Sequence, residues 1–483
     1  MRLNFLLLLS LFGWFSANCQ VLPASLSEKI RQVETRLLPI LIVDGDSVTQ
    51  FSIQDRMKHY NVPGVSLAVI RNGKIDWAKG YGFADREANR RVDTTTLFQA
   101  SSISKPIAAL AALHWVEAGR LALDTPIDTY LKDWKVPDTT FSKTEKVTLR
   151  RLLTHTSGLT VHGFAGYAKD KPLPSLIQIL NGEAPANSRA ILPDTIPGKV
   201  NRNPGGGYTV LQKAMIDQLG KSFPEIMQET VLSKLGMTRS TYEQPLPAKF
   251  SPLAATAYHA DGQPVYGLWH TYPEMAAAGL WSTPSDLARY VIDIQQSSLG
   301  KSSKIISRQM AGQMLTKHLG SMGLGPALRH DGDSLIFTHN GANEGFRCLF
   351  VAHGYRGDGV VIMTNSDNGM EVAQELLNSV SAAYGWDFSQ PKRLKKVNLS
   401  AAQIESVLGD YRRDRYIFEV TQSNGNLYAK PRWEEKSQEL IPESSTQFLM
   451  RDGQRAEFIY EGGANAVKAV RLFGNVVFTK MPK

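Results

Sequence analysis

Apolar positions along this chain recur in two registers, and the places where the register changes outline its architecture. From Leu22 to Tyr60 they follow an amphipathic helical spacing. Val65-Ser-Leu-Ala-Val-Ile70 and Ile75 to Tyr81 then read as strands joined at Arg71-Asn-Gly73, because Asn-Gly between apolar runs is the strongest short hairpin signal. A loop at Asp85 to Thr96 leads to Phe98–Ile107, which opens a helix reaching about Gly119. In that helix Ile107, Leu110, Ala111, Leu113 and Val116 recur near the helical period, and Gly119 fits a C-cap.

Residues 120–300 read mainly as helices and long loops. Leu152–Leu159 follows a short helix, Thr160 to Asn203 is rich in proline, and Gly205-Gly-Gly-Tyr208 opens a helix to Gly220. Another helix spans Glu225 to Leu235. In Trp281–Asp286, Thr283 caps a further helix and Pro284 takes its first position. Strand character returns at Leu335 to His339, Phe346 to Ala352 and Val360 to Asn365, followed by a helix at Glu371 to Tyr384. Sheet, helical insert, sheet and closing helix predict an α/β (α+β) body. Its two ends share one antiparallel sheet, and the insert forms a second lobe across a cleft.

Past Pro391 the character changes again. Many short strand-like runs between Tyr411 and Lys480, punctuated at Asn424-Gly, Asp452-Gly and Gly462-Gly, predict a small all-β barrel or sandwich. The expected organisation is therefore residues 1–19 as leader, 20–390 as the α/β body with its insert at about 120–300, 391–396 as linker and 397–483 as the β domain. The leader rests on Arg2, the apolar run Phe5 to Phe15 and the small residues Ser16 and Ala17, a pattern that signals export with cleavage near Cys19 or Gln20. A lipoprotein anchored through Cys19 is the minority reading, since Asn18 stands where a small residue is expected. No stretch reaches the ~18 uncharged apolar residues of a spanning helix.

Composition narrows the functional classes. At 483 residues, 42% hydrophobic and 20% charged, the chain is an ordinary globular protein of more than one domain. The net charge of +9 is dispersed, and its one dense run, Lys392-Arg-Leu-Lys-Lys396, reads as a solvated linker, so nucleic acid is not an expected partner. No zinc-type Cys/His spacing and no Walker-type phosphate loop occurs, and no cofactor is expected. Once the leader leaves with Cys19, Cys348 is the sole cysteine and reads as a buried core thiol within Phe346 to Val351.

The candidate chemistry is Ser102-Ile-Ser-Lys105 at the start of the first buried helix. Three residues apart in a first turn, Ser102 and Lys105 share a face. There an amine can take the hydroxyl proton, backbone N–H groups point at a developing oxyanion, and burial with the helix dipole favours a neutral lysine. On pattern alone a simple capping role for Ser102 is the better reading, and the surroundings have to decide. Two further matches, Ser298–Lys301 and Ser389–Lys392, open no apolar-periodic helix.

With its surroundings, the pattern from Val62 to about Tyr384 resembles the serine β-lactamase and penicillin-binding-protein-like hydrolases, in the branch of class C β-lactamases and related esterases and D-aminopeptidases. The matching pieces are Val62–Val69, Trp77–Gly82, Phe98–Lys105, Leu152–Leu159, Ala278–Leu287 and His339–Phe346. The C-terminal β domain looks like the lipocalin-like appendage of many such proteins. The resemblance implies that Ser102 is acylated, that Lys105 activates it, and that His339 on the cleft-edge strand offers substrate a donor or cation. Gly341 belongs to that strand motif, and Ala342 N–H is the second oxyanion donor. A second His-x-Gly, at His330, reads as a turn. His155 and His162 read as structural, each in a loop that could border the cleft. One departure stands out: the family's Tyr-x-Asn or Tyr-Ser-Gly element falls on Asn203-Pro-Gly205, so Asn203 replaces the tyrosine while Gly205 fits the glycine variant. An amide shuttles no proton near neutral pH, and Tyr208 belongs to the next helix as a packing residue. Two functions therefore stay open. One is an exported, periplasmic or secreted serine hydrolase of an ester, amide, β-lactam or D-amino-acid peptide, cell-wall fragments included. The other is a catalytically impaired binding protein on the same scaffold.

Overall fold

The computed structural model describes residues 24–46, 50–202, 205–432, 437–461, 466–472 and 476–482. The leader with Cys19, and Asn203 with Pro204, lie outside the described residues.

The Asn-Gly hairpin forms as read, with Asn72 at φ 52° and Gly73 at φ 72°, the left-handed pair that suits a two-residue turn between twisted strands. Its strands, Gly64–Arg71 and Lys74–Asp85, enter a seven-stranded antiparallel sheet. The order across the sheet is Arg90–Arg91, Lys74–Asp85, Gly64–Arg71, Gly359–Thr364, Phe346–His353, Ile336–Asn343 and Ala327–Arg329. Alternate side chains go to opposite faces. Val65, Leu67 and Val69 meet Leu376, Leu377 and Val380 of the closing helix Gly369–Tyr384. Ala68 and Ile70 meet the core that surrounds the helix Ser104–Glu117. That helix is buried from Ser104 to Leu113, so its apolar surface wraps all sides rather than a stripe. The predicted cap at Thr283 is present: its Oγ1 accepts from Asp286 N at 3.2 Å. The short edge strand Ala327–Arg329 carries too little pattern to be read from sequence.

Two expectations are corrected near the ends of the α/β body. Leu22 to Tyr60 is not one helical stretch. It holds the helices Ala24–Thr35 and Ile53–His59 with a strand, Leu41–Val43, between them. That strand pairs in parallel with Lys392–Leu394, so this part of the basic run is a seam rather than a free linker, while Arg393, Lys395 and Lys396 stay exposed. Leu41, Val43 and Leu394 bury against Ile441 and Leu449. Two ion pairs, Arg451–Asp46 at 2.7 Å and Lys392–Glu443 at 3.0 Å, flank the contact. Three-residue strands are too short for periodicity to show.

The C-terminal strands, Gly409–Arg413 through Val476–Lys480, close into an eight-stranded antiparallel barrel. Tyr411, Phe418, Phe448, Phe458 and Phe478 fill its interior, making it a packed core.

Beneath the sheet, Arg56 makes a bidentate pair with Glu375 (Nε–Oε2 2.8 Å, Nη2–Oε1 2.6 Å), and Tyr60 OH donates to the same carboxylate at 3.0 Å. Removing one partner strands a buried charge. Arg56→Ala is therefore expected to destabilise the fold by about 3–5 kcal/mol in urea unfolding, and Arg56→Met with Glu375→Leu to recover most of it. Equal losses in the single and double variants would refute this.

Candidate active site

The chain enters the site through Phe98–Gln99, which pairs with Trp281–Ser282. Ser101 then takes φ 52°, a left-handed conformation that a residue with a side chain holds only where its surroundings impose it. Ser102 sits in a 3₁₀ turn, Ser101–Ile103, immediately before the helix Ser104–Glu117. It is not a cap. Ser104 does the structural work, its Oγ donating to Ser101 O at 2.5 Å and accepting from Leu280 N at 3.0 Å. Ser102 Oγ is left half-buried and facing Lys105, whose Nζ stands 2.7 Å away.

Lys105 is 3% exposed. Its amine also donates to Ala277 O at 2.9 Å, and no carboxylate among the described residues pairs with it. Burial alone lowers its pKa to about 7, so near neutral pH much of it is the free amine. The Ala277 contact was invisible in the sequence, since a backbone carbonyl carries no residue signal.

The facing wall is the strand Ile336–Asn343. Its outer neighbour pairs only with Ile336–Thr338, so His339 to Asn343 present an edge unpaired by any described strand. Gly341 lies against the turn at Ala100–Ser101. A Cβ there would stand 2.6 Å from Ala100 O, 2.6 Å from Cys348 Sγ and 2.9 Å from Ser101 Cβ. Asn343 Nδ2 ties the same strand to Gln99 Oε1 at 2.7 Å and Ala278 O at 3.1 Å. Cys348 donates to Ala100 O at 3.0 Å, and burial pushes its thiol up to about 12, as a core cysteine requires.

His339 differs from expectation in its protonation. Its Nδ1 lies 2.6 Å from Asn340 O, an acceptor only, so Nδ1 carries the proton and Nε2 is left as an acceptor. Burial, and then the charge of Lys105, lowers its pKa to about 4. At neutral pH the ring is neither cation nor Nε2 donor.

The third wall begins at Gly205, first residue of the helix Gly205–Leu219; a Cβ on it would stand 3.1 Å from Phe164 Cε2. Tyr208 is fully buried, its OH donates to Leu153 O at 3.4 Å, and burial raises its pKa, which fits a packing residue. His162 and Phe164 line a neighbouring cavity of about 310 Å³ with Asn187 and Arg189. The imidazole of His155 is buried against Tyr208, 5.5 Å between ring centroids. Burial, then the charges of Lys105 and His339, holds its pKa well below the ordinary histidine value.

The competing motifs are engaged elsewhere. Ser298 Oγ donates to Gln295 O and Gly354 O, and Ser389 Oγ donates to Asn378 Oδ1. His330, at φ 57°, is a turn residue as read. Among the described residues one group of ligand-type side chains converges: His259, Glu344 and Asp367. Arg347 pairs with Asp367 there at 3.0 Å and His259 with Glu344 at 3.1 Å, an ion-pair network that needs no metal.

The beta-lactamase family model matches residues 52–383. Esterase EstB of Burkholderia gladioli is 31% identical over 229 residues, 45% of this chain and 55% of that protein. A beta-lactamase of Providencia stuartii is 28% identical over 286 residues, 58% of this chain and 69% of that one. The putative penicillin-binding protein PbpX of Bacillus subtilis is 26% identical over 235 residues, 46% and 54% respectively. The chain thus spans little more than half the length of EstB and PbpX. The octameric penicillin-binding protein homologue from Pyrococcus abyssi shares the fold, with a TM-score of 0.61 at 22% identity over 88% of this chain and 97% of that one.

Proposed function

Because this chain belongs to the beta-lactamase family, we propose that it is an exported serine hydrolase that forms an acyl-enzyme on Ser102. The observation that carries this reading is the 2.7 Å approach of Ser102 Oγ to a buried lysine with no carboxylate partner among the described residues. Neutral Lys105 takes the hydroxyl proton as Oγ bonds to the acyl carbon. The Ser102 and Ala342 N–H groups hold the oxyanion, and Lys105 returns the proton to the leaving group. Gly341 keeps the strand close enough for Ala342 to reach, while Gly205 borders the bound substrate. Leader 1–19 directs export, residues 20–390 carry the chemistry and 397–483 form the appended barrel. No helix among the described residues is long and apolar enough to cross a membrane.

Esters fit this site best. A neutral His339 whose Nε2 only accepts offers nothing to the carboxylate of a β-lactam or a peptide C-terminus. An alkoxide departs with less acid assistance than an amine, which suits a chain with Asn203 in place of a proton-shuttling tyrosine. That asparagine also supports a second reading, a protein that acylates or binds without turnover.

The test is an intact-mass time course with p-nitrophenyl butyrate, alongside labelling by a fluorophosphonate probe. Wild type is expected to show a transient adduct and product in excess of protein, with Ser102→Ala losing both adduct and label. Undiminished labelling of Ser102→Ala would refute the hydrolase, and a permanent adduct would favour the second reading.

A further inference from the structure

The carbonyl that receives the Lys105 amine belongs to a helix of four residues, Met275–Ala278. A single turn makes too few bonds of its own to hold a position, so its place is set by what ties it down. One tie is a buried amide that the scheme above leaves unused. Gln212, 2% exposed on the helix Gly205–Leu219, donates from Nε2 to Pro273 O at 3.1 Å and accepts at Oε1 from Ala276 N at 3.0 Å. The partners fix the amide's orientation, because a carbonyl needs a donor and an N–H an acceptor.

From Ala276 the contacts run without a gap to the reacting groups. Ala277 O accepts from Lys105 Nζ at 2.9 Å, and the same Nζ stands 2.7 Å from Ser102 Oγ. Ala278 O accepts from Asn343 Nδ2 at 3.1 Å, on the residue that follows Ala342. The neighbours of Gln212 on its own helix, Val210, Leu211, Ala214 and Met215, are buried and apolar. An apolar side chain would therefore suit its position, and the two bonds are what an amide adds there. Gln244 offers a contrast. It donates to Gly279 O at 2.7 Å and accepts from Tyr272 N at 3.1 Å, so it ties residues that flank the short helix rather than the turn that carries the lysine's acceptor.

Resting on the acyl-enzyme reading above, we infer that Gln212 is a positioning residue, which holds Ala277 O where it aims the Lys105 amine at Ser102 Oγ. The titratable groups on which the charge of Lys105 acts are His339 and His155, and Glu274 is the buried carboxyl at the head of the short helix. All three are common to wild type and to the variants below.

Burst kinetics with p-nitrophenyl butyrate between pH 5 and 9 test this with Gln212→Met, which keeps the volume and removes both bonds. Acylation at its high-pH plateau is expected to slow about 10- to 100-fold, with KM changed by no more than about threefold. A carbonyl acceptor favours the ammonium, so its displacement should also move the acid limb of the profile down by about one pH unit. A purely structural role would lower stability without moving that limb. Gln244→Met is the control, expected to acylate within about threefold of wild type with its limb in place. Gln212→Glu, assayed at pH 6 where burial keeps the new carboxyl protonated and able to make both bonds, should stay within about tenfold of wild type, which covers a methionine variant that folds poorly. An unslowed plateau or unmoved limb in Gln212→Met, equal slowing in Gln244→Met, or a Gln212→Glu as slow as Gln212→Met would overturn the inference. A wild type that forms no adduct overturns the acyl-enzyme reading itself, and the inference with it, before any variant is compared.

Discussion

Replacing Lys105 by alanine is expected to lower the acylation rate by ~10²–10⁴-fold with little change in substrate affinity. The amine is the group that touches Ser102 Oγ, and the described residues offer that oxygen no other base at hydrogen-bond distance. The same variant should abolish a defined pH dependence. Burial penalises the ammonium and lowers its pKa to about 7, so the competent free amine is scarce at pH 5 and dominant at pH 8. Wild-type acylation should thus rise through pH 7 and level off above it. His339 does not produce that limb, because burial and the charge of Lys105 lower its pKa to about 4. Arginine is no substitute: it stays charged and would bring an unpaired cation into a buried site. Burst rates measured by stopped flow between pH 5 and 9 decide the point. A flat wild-type profile, or a Lys105→Ala rate within tenfold of wild type, would remove Lys105 as the base.

The parts of this molecule legible in its sequence are those fixed by local pattern. Asn72-Gly73 announced the hairpin, Thr283-Pro284 a helix start, and Ser102-Ile-Ser-Lys105 the pair that the fold brings together. What escaped is non-local. The parallel pairing of Leu41–Val43 with Lys392–Leu394 joins segments about 350 residues apart through strands too short to show a period. The tautomer of His339 depends on the carbonyl of its own neighbour, a conformational fact rather than a compositional one.

Gly341 shows how tightly the strand and the nucleophile turn are coupled, and it supports the second large effect. A methyl group at this position meets Ala100 O at 2.6 Å, and backbone cannot withdraw as a flexible side chain can. Gly341→Ala is therefore expected to push the strand off the turn and carry Ala342 N–H away from the oxyanion position. A misplacement of ~1 Å costs about 10²-fold in rate, and overpacking of this kind costs about 1–3 kcal/mol in stability. The second clash, 2.6 Å to Cys348 Sγ, gives an internal control. Adding Cys348→Ala relieves the sulfur but leaves the carbonyl, so the double variant should regain stability without regaining activity. Burst rates and urea midpoints of the two variants separate these effects. If the double variant also recovers its acylation rate, the sulfur alone sets the spacing, and the contact between Gly341 and the turn at Ala100–Ser101 does not align the oxyanion donors.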